Sequence, residues 1–188
     1  KYLQAAGSAK PFFCVGNHDQ PRIASRLGTE RARALHFLNL LTPGVSVMYY
    51  GDEIGMTNGE LTAEDIQDNF SPANSTIDSR DLERTPMQWD DTRFAGFSEV
   101  KPWLPVNKNR AFINVSSEKS SPASMLNLHR ALLRLRQEFP IIKNGTLNIV
   151  SSDDTGNGFI LGIKRELGRE CAYIFINFAD APQSFSIP

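Results

Sequence analysis

The chain has 188 residues, 40% hydrophobic and 22% charged, which excludes an intrinsically disordered chain and suits one globular domain or one and a half. The formal net charge is -1 and no long run of Lys or Arg occurs, so neither nucleic acid nor an anionic membrane surface is expected as a partner.

The first element in chain order is "KPFFCVG", an apolar run with aromatic residues that Gly16 stops. It has the pattern of a fully buried strand in a parallel sheet. The run gives way to Asn17, His18 and Asp19, then to the stiff turn unit Gln20-Pro21-Arg22. Next, "GTERARALHFLNLLTPG" predicts a helix with Thr29 as N-cap and a face of Ala32, Leu35, Leu38 and Leu41, stopped by Pro43-Gly44. A second buried strand is expected over Val45 to Tyr50, followed at once by Gly51-Asp52-Glu53. Strand, polar loop, helix, strand, polar loop is the repeat of a parallel α/β fold.

From Met56 to about Lys108 the periodicity disappears, and a loop of this length inside a compact domain is expected to be a functional insertion. "SPASMLNLHRALLRLRQEFP" then predicts a helix capped by Ser121, with Met125, Leu128, Leu132, Leu135 and Phe139 packed and its basic residues solvated. Past Pro140 the character changes. "GTLNIV", "GFILGIKRE", "CAYIFINF" and "QSFSIP" read as short strands of an antiparallel meander, with "SDDTGNG" as one turn. The domain boundary is therefore placed near Lys143: residues 1–143 form the α/β part, with its insertion at about 56–108, and residues 144–188 an all-β part.

The chain begins at Lys1 without a charged-then-apolar leader, has no apolar run of bilayer length, and stops within a strand-like pattern, so it reads as a piece of a longer protein. Membrane attachment would belong to segments outside it. Cys14 and Cys171 lie in apolar runs without metal-ligand spacing and are expected to be buried free thiols. Four Asn-x-Ser/Thr sequons, at Asn69, Asn74, Asn114 and Asn144, exceed the roughly two of random pairing and favour a glycosylated, secreted or extracellular protein. Pro72 weakens the first.

In parallel α/β folds ligands gather at the C-terminal ends of the strands, where both polar clusters fall. A carboxylate beside an imidazole can act in acid-base chemistry, bind a metal, or hydrogen-bond the hydroxyls of a polyol, and His18 and Asp19 alone do not discriminate. The other histidines, His36 and His129, fall within helices, so no metal site is expected. Trp89, Phe94, Phe97 and Trp103 in the insertion either flank a sugar ring or form a small aromatic core.

"GNHDQPRIASRLG", "PGVSVMYYGDEIGM", "SRDLERTPMQWDDTRFAGFS" and "PWLPVNKN" together resemble the second half of the α-glucosidases of glycoside hydrolase family thirteen, the α-amylase superfamily, insect maltases above all. The similarity covers roughly the whole chain. It implies a (β/α)8 TIM barrel, of which this chain carries strands seven and eight with their helices, followed by an antiparallel β-sandwich domain C. It implies retaining hydrolysis of terminal α-glucosidic bonds in maltose, sucrose or short oligosaccharides. On this resemblance Asp19 is the transition-state stabiliser, and His18 and Arg84 bind substrate. Arg22 matches an active-site arginine, and Asp52-Glu53 support the pocket. The family's nucleophile and acid/base follow strands four and five, upstream of Lys1, so the chain alone is expected to be inactive. No cofactor is expected here, and any calcium would sit in the N-terminal part. The alternative is a non-catalytic relative, such as the ectodomain of an amino-acid transporter heavy chain or a maltase-like surface receptor.

Overall fold

The structure, a computed structural model, describes residues 12–68, 79–150 and 158–185. Their contacts divide into two compact units. One takes in Phe12–Cys14, Arg33–Val47 and the described residues from Arg130 onward; the other takes in Val15–Ala32 and the described residues from Met48 to His129.

In the first unit, β1 (Phe12–Cys14) pairs in parallel with β2 (Val45–Val47), with Phe12 opposite Val45 and Cys14 opposite Val47. The chain between them forms α1 (Ile23–Leu27), which belongs to the other unit, and α2 (Thr29–Leu41), a crossover of the length a parallel pair requires. The strands are shorter and less buried than their apolar runs predict. Phe12 is 59% and Val45 49% exposed, because among the described residues this sheet has only two strands and nothing covers those side chains. The second strand ends at Val47, and Tyr49 and Tyr50 turn to face Arg22 instead.

Helix α2 buries Ala32 and Leu41 of its expected face and leaves Leu35 and Leu38 half-buried, and its cap differs from the expected one. The carbonyl of Gly28 accepts the first helical bond, from Ala32, so the cap is Gly28 and Thr29 lies inside the helix. Its buried positions include Ala32, His36, Asn39 and Leu40. The buried Asn39 donates from Nδ2 to Val47 O at 3.1 Å, and its backbone carbonyl accepts from Ser46 Oγ at 2.6 Å, so helix and strand are joined at this position.

Helices α3 (Val115–Lys119) and α4 (Met125–Glu138) follow, then α5 (Pro140–Asn144) at the predicted boundary. Helix α4 starts later than Ser121 because Ser124 Oγ accepts from Asn127 N at 3.2 Å, making Ser124 the cap. Met125 and Leu132 are buried as expected, whereas Leu135 and Phe139 are 39% and 50% exposed. Nor are its basic residues all solvated: Arg136 donates to Leu40 O at 2.8 Å, to Thr42 O at 2.7 Å and to Gly44 O. A cation thus satisfies the carbonyls that the C-terminus of α2 leaves open.

The meander forms. β3 (Asn148–Val150), β4 (Ile160–Leu167) and β5 (Glu170–Asn177) make an antiparallel sheet in the order β3-β4-β5. Residues Gln183–Phe185 are not a strand, although the ring of Phe185 packs on Phe175 at 4.4 Å. Of the turn expected over 152–158, residues 152–157 lie outside the described residues, and Gly158 is in a turn. Ile163 and Arg165 share one buried face of β4, and the Arg165 guanidinium reaches Leu41 O at 2.7 Å, Gly145 O at 2.8 Å and Thr146 O. Burial pushes Arg165 down to about 10, with Arg136 adding repulsion. Both thiols, Cys14 and Cys171, are exposed, contrary to the expectation from their apolar neighbours. Each lies at an edge or end of its short sheet.

The second unit builds a core of Ile54, Met56, Met87, Val115 and Leu126. The expected insertion thus has apolar anchors of its own, Met56 (0% exposed) and Met87, and short 3₁₀ turns at Arg80–Leu82 and Lys108–Ala111. Of the sequons, Asn69 and Asn74 lie outside the described residues, and Asn144 is exposed. Asn114 is not a glycan acceptor in this fold: it is 2% exposed, caps α3 through Ser117 N at 2.8 Å, and its Nδ2 donates to Arg110 O at 2.7 Å. An amide nitrogen sealed and bonded in this way has no room for a sugar.

Candidate active site

The loop after β1 is shaped by its own polar groups. Asn17 Oδ1 accepts from Asp19 N at 2.8 Å, an Asx turn that leaves His18 and Asp19 projecting. Their side chains are 65% and 47% exposed, and His18 Nε2 lies 3.4 Å from Asp19 Oδ2. The other carboxylate oxygen, Oδ1, accepts from two arginines at once, Arg80 Nη1 at 3.1 Å and Arg84 Nη2 at 3.0 Å. Arg84 Nε also donates to His18 O at 2.8 Å, so one guanidinium fixes both the backbone and the side chain of the pair. Only a planar fork can do this.

The arginines are themselves held in place. Ser79 Oγ accepts from Asp81 N and starts the 3₁₀ turn, and Asp81, fully buried, accepts from Gln67 N at 2.6 Å and Asp68 N at 2.8 Å. That anchors Asp68, whose carboxylate grips Arg80 in two 2.7 Å bonds. These bonds push Arg80 further above its ordinary value. Arg80 and Asp68 carried no signal in the sequence, because they lie in the stretch without periodicity, where the 3₁₀ turn covers only Arg80–Leu82.

Arg84 is also a wall of a cleft of about 380 Å³, with Tyr50, Glu53, Met87, Trp89, Phe97 and Trp103 among the other walls. Trp89, Phe97 and Trp103 are 50%, 51% and 68% exposed, so they do not form a closed aromatic core. Phe94 is not in the cleft and lies under the Arg93 guanidinium at 5.0 Å. Tyr50 is fixed by its hydroxyl, which donates to Thr85 O at 2.7 Å.

Arg22 belongs beneath this surface, which corrects its expected place among the substrate-binding residues. It is 1% exposed, its Nη1 donates to Tyr50 O at 2.6 Å, and it packs against the rings of Tyr49 and Tyr50 at 5.0 and 4.8 Å. Its backbone N–H donates to Asn58 Oδ1 at 2.7 Å. Arg22 therefore ties the loop after β1 to the loop after β2. Asp52 is buried in the same region, and burial pushes its carboxyl up to about 6 against the pull of Arg22. Burial, with Tyr50 next to it, also raises Tyr49. Glu53 lines the cleft while Asp52 lies beneath it, so the adjacent pair is split between surface and interior.

The arrangement is a carboxylate with one oxygen locked by two cations and the other open beside an imidazole, at the edge of a cleft with aromatic walls. It suits a ligand rich in hydroxyls on one side and apolar on the other. The profile of the alpha amylase catalytic domain matches residues 3–145, and the chain belongs to the alpha-amylase family. It is 39% identical to an alpha-glucosidase of Apis mellifera over 94% of this chain and 31% of that protein. It is 33% identical to an oligo-1,6-glucosidase of Parageobacillus thermoglucosidasius, over 93% of this chain and 35% of that protein. Among solved structures, the trehalulose synthase MutB from Pseudomonas mesoacidophila MX-45 superposes with a TM-score of 0.83 at 32% identity, covering 98% of this chain and 38% of that one. The chain thus spans about a third of the length of the proteins it matches.

Proposed function

We propose that the chain is the C-terminal part of a retaining α-glucosidase that hydrolyses terminal α-glucosidic bonds in maltose, sucrose or short oligosaccharides. Residues 1–143 supply strands seven and eight of the (β/α)8 barrel with the active-site insertion, and residues 144–188 open the β-sandwich domain C. The parallel pair of β1 and β2 and the antiparallel meander are the pieces such a division needs. The uncovered faces of Phe12 and Val45 are where further barrel strands would pack. A mutant of trehalulose synthase MutB has been solved in complex with the substrate sucrose, and that enzyme shares this fold.

The observation that carries the reading is the double grip of Arg80 and Arg84 on Asp19 Oδ1. In an oxocarbenium-like transition state the sugar 2-OH becomes more acidic, and its bond to a fixed carboxylate strengthens. Asp19 stabilises that state without moving a proton, His18 holds a neighbouring hydroxyl, and Arg84 orients both. The nucleophile and acid/base belong to other segments of the longer protein, as does any calcium. An exposed Asn144 sequon fits a secreted or extracellular glycoprotein. Among the described residues no helix is long and apolar enough to cross a membrane.

The test uses the full-length protein and maltose. Asp19→Asn should lower kcat by about a hundred-fold or more with the protein folded, because the lost interaction is made mainly in the transition state. Turnover close to the wild-type value would refute the assignment.

A further inference from the structure

Arg80 reaches Asp19 with one nitrogen only. Its Nη1 donates to Asp19 Oδ1 at 3.1 Å, between side chains that are 29% and 47% exposed. A single bond of that kind, in contact with water, contributes little against the rotamer freedom of a long side chain. It does not by itself explain why Arg80 stands where it does.

The explanation lies on the far side of the guanidinium. Nε donates to Asp68 Oδ2 and Nη2 to Asp68 Oδ1, both at 2.7 Å, and the backbone N–H of Arg80 donates to Asp68 Oδ2 at 3.3 Å. Two parallel bonds fix the plane of a guanidinium as well as its position, which leaves Nη1 directed at Asp19. The Asp68 side chain is 5% exposed, and its backbone N–H donates to the fully buried Asp81 at 2.8 Å. A path of short bonds thus runs from the interior through Asp81, Asp68 and Arg80 to a half-exposed carboxylate.

Charge follows the same path. The carboxylates of Asp19 and Asp68 stand against the guanidiniums of Arg80 and Arg84, so the four groups balance. Without the charge of Asp68 a surplus cation would remain beside Asp19, and it would oppose the positive charge that develops on the sugar in an oxocarbenium-like transition state.

We propose that Asp68 is a positioning residue of the reaction, which acts through Arg80 by holding that guanidinium on Asp19 in a fixed orientation and charge balance. This rests on the glucosidase reading above, which makes Asp19 the group that meets the transition state. Asp68 touches no substrate in this role, so its effect falls on kcat and is carried entirely by Arg80. The second property separates it from a residue that merely holds its own loop.

The full-length enzyme is assayed on maltose as wild type, Asp68→Asn, Arg80→Met and the double variant, well below the unfolding temperature of each. Asp68→Asn should lower kcat about ten-fold and change KM by less than about two-fold. Arg80→Met should lower kcat at least as much, and the double variant should lose no more than Arg80→Met alone, because Asp68 then has nothing left to position. Losses that multiply in the double variant, or an Asp68→Asn enzyme with wild-type kcat, overturn the proposal. If Asp68→Asn does not fold, Arg80→Lys decides: it keeps the charge but cannot make the paired bonds to Asp68, so kcat should fall about ten-fold, and an unchanged kcat overturns the proposal. Each of these failures leaves the glucosidase reading standing, since the wild type still cleaves maltose. A wild type that does not turn over maltose sinks that reading and this one with it.

Discussion

Replacing Asp52 with Asn should stabilise the protein at neutral pH and do little in acid. Asp52 is 4% exposed, and burial lifts its carboxyl from 3.8 to about 6 despite the nearby Arg22. At roughly 1.4 kcal/mol per pKa unit, that rise amounts to about 3 kcal/mol against the ionised form in the folded state. Below the unfolded value of 3.8 the group is neutral in both states and carries no penalty. As pH rises through about 6 the folded protein must ionise a buried carboxyl, and the stability held in acid is lost. Asn keeps the shape of the protonated acid at every pH, so the advantage of Asp52→Asn should grow between pH 4.5 and pH 7.5. Thermal unfolding of the full-length protein and the variant at these two pH values reads that difference directly. An equal advantage at both values would show that burial does not control the group. A variant less stable than wild type at pH 7.5 would show that Arg22 needs the ionised partner more than the site suffers from it.

Two further substitutions separate stability from turnover. Arg165→Met removes a guanidinium that three carbonyls share, including Leu41 O at 2.7 Å and Gly145 O at 2.8 Å. Three bonds to a charged donor, at about 1.5–3 kcal/mol each, outweigh the burial penalty on the cation, so the variant should lose about 3 kcal/mol in urea or thermal unfolding. A loss under about 1 kcal/mol would mean that the two effects cancel. Arg84→Lys places a point charge where a fork holds His18 O and Asp19 together, and KM for maltose should rise about ten-fold with little change in thermal stability. Unchanged KM and kcat would remove Arg84 from the site.

The sequence was most legible where a signal is local. Parallel strand, helix, strand and the later meander follow from apolar runs and turn residues, and β1, α2, β2, β4 and β5 all form where those runs lie. It was least legible where a polar side chain is inside because of a partner distant in the chain. Asn39 on the core face of α2 depends on Val47, and Arg165 among the isoleucines of β4 depends on Leu41. Neither partner leaves a periodic trace. Caps moved too: Ser124, three residues after Ser121, caps α4 with its hydroxyl, and α2 starts from the backbone carbonyl of Gly28, which offers no side chain to read. At the site, the motif around His18 and Asp19 drew attention to the loop after β1, but the depth of Arg22 and the bond of Arg80 to Asp19 depend on residues far apart in the chain.

The arginines of this chain divide by what they bind, and the division tells which of them can take part in chemistry. Arg136 and Arg165 hold backbone carbonyls in one unit, and the buried Arg22 holds Tyr50 O in the other. A carbonyl cannot release its cation to a ligand without leaving a buried acceptor bare, so Arg136 and Arg165 are committed to the fold, whereas Arg22 is held through Nη1 alone and keeps Nε and Nη2 buried without a hydrogen-bond partner among the described residues. Arg80 and Arg84 instead meet at the carboxylate of Asp19, with side chains 29% and 23% exposed and Asp19 47% exposed. On the glucosidase reading proposed above, a sugar hydroxyl would join this network at Asp19, whose charge is already offset by its two arginine partners. Such a site would be fixed in geometry and able to strengthen its bond to a hydroxyl as positive charge develops on the sugar.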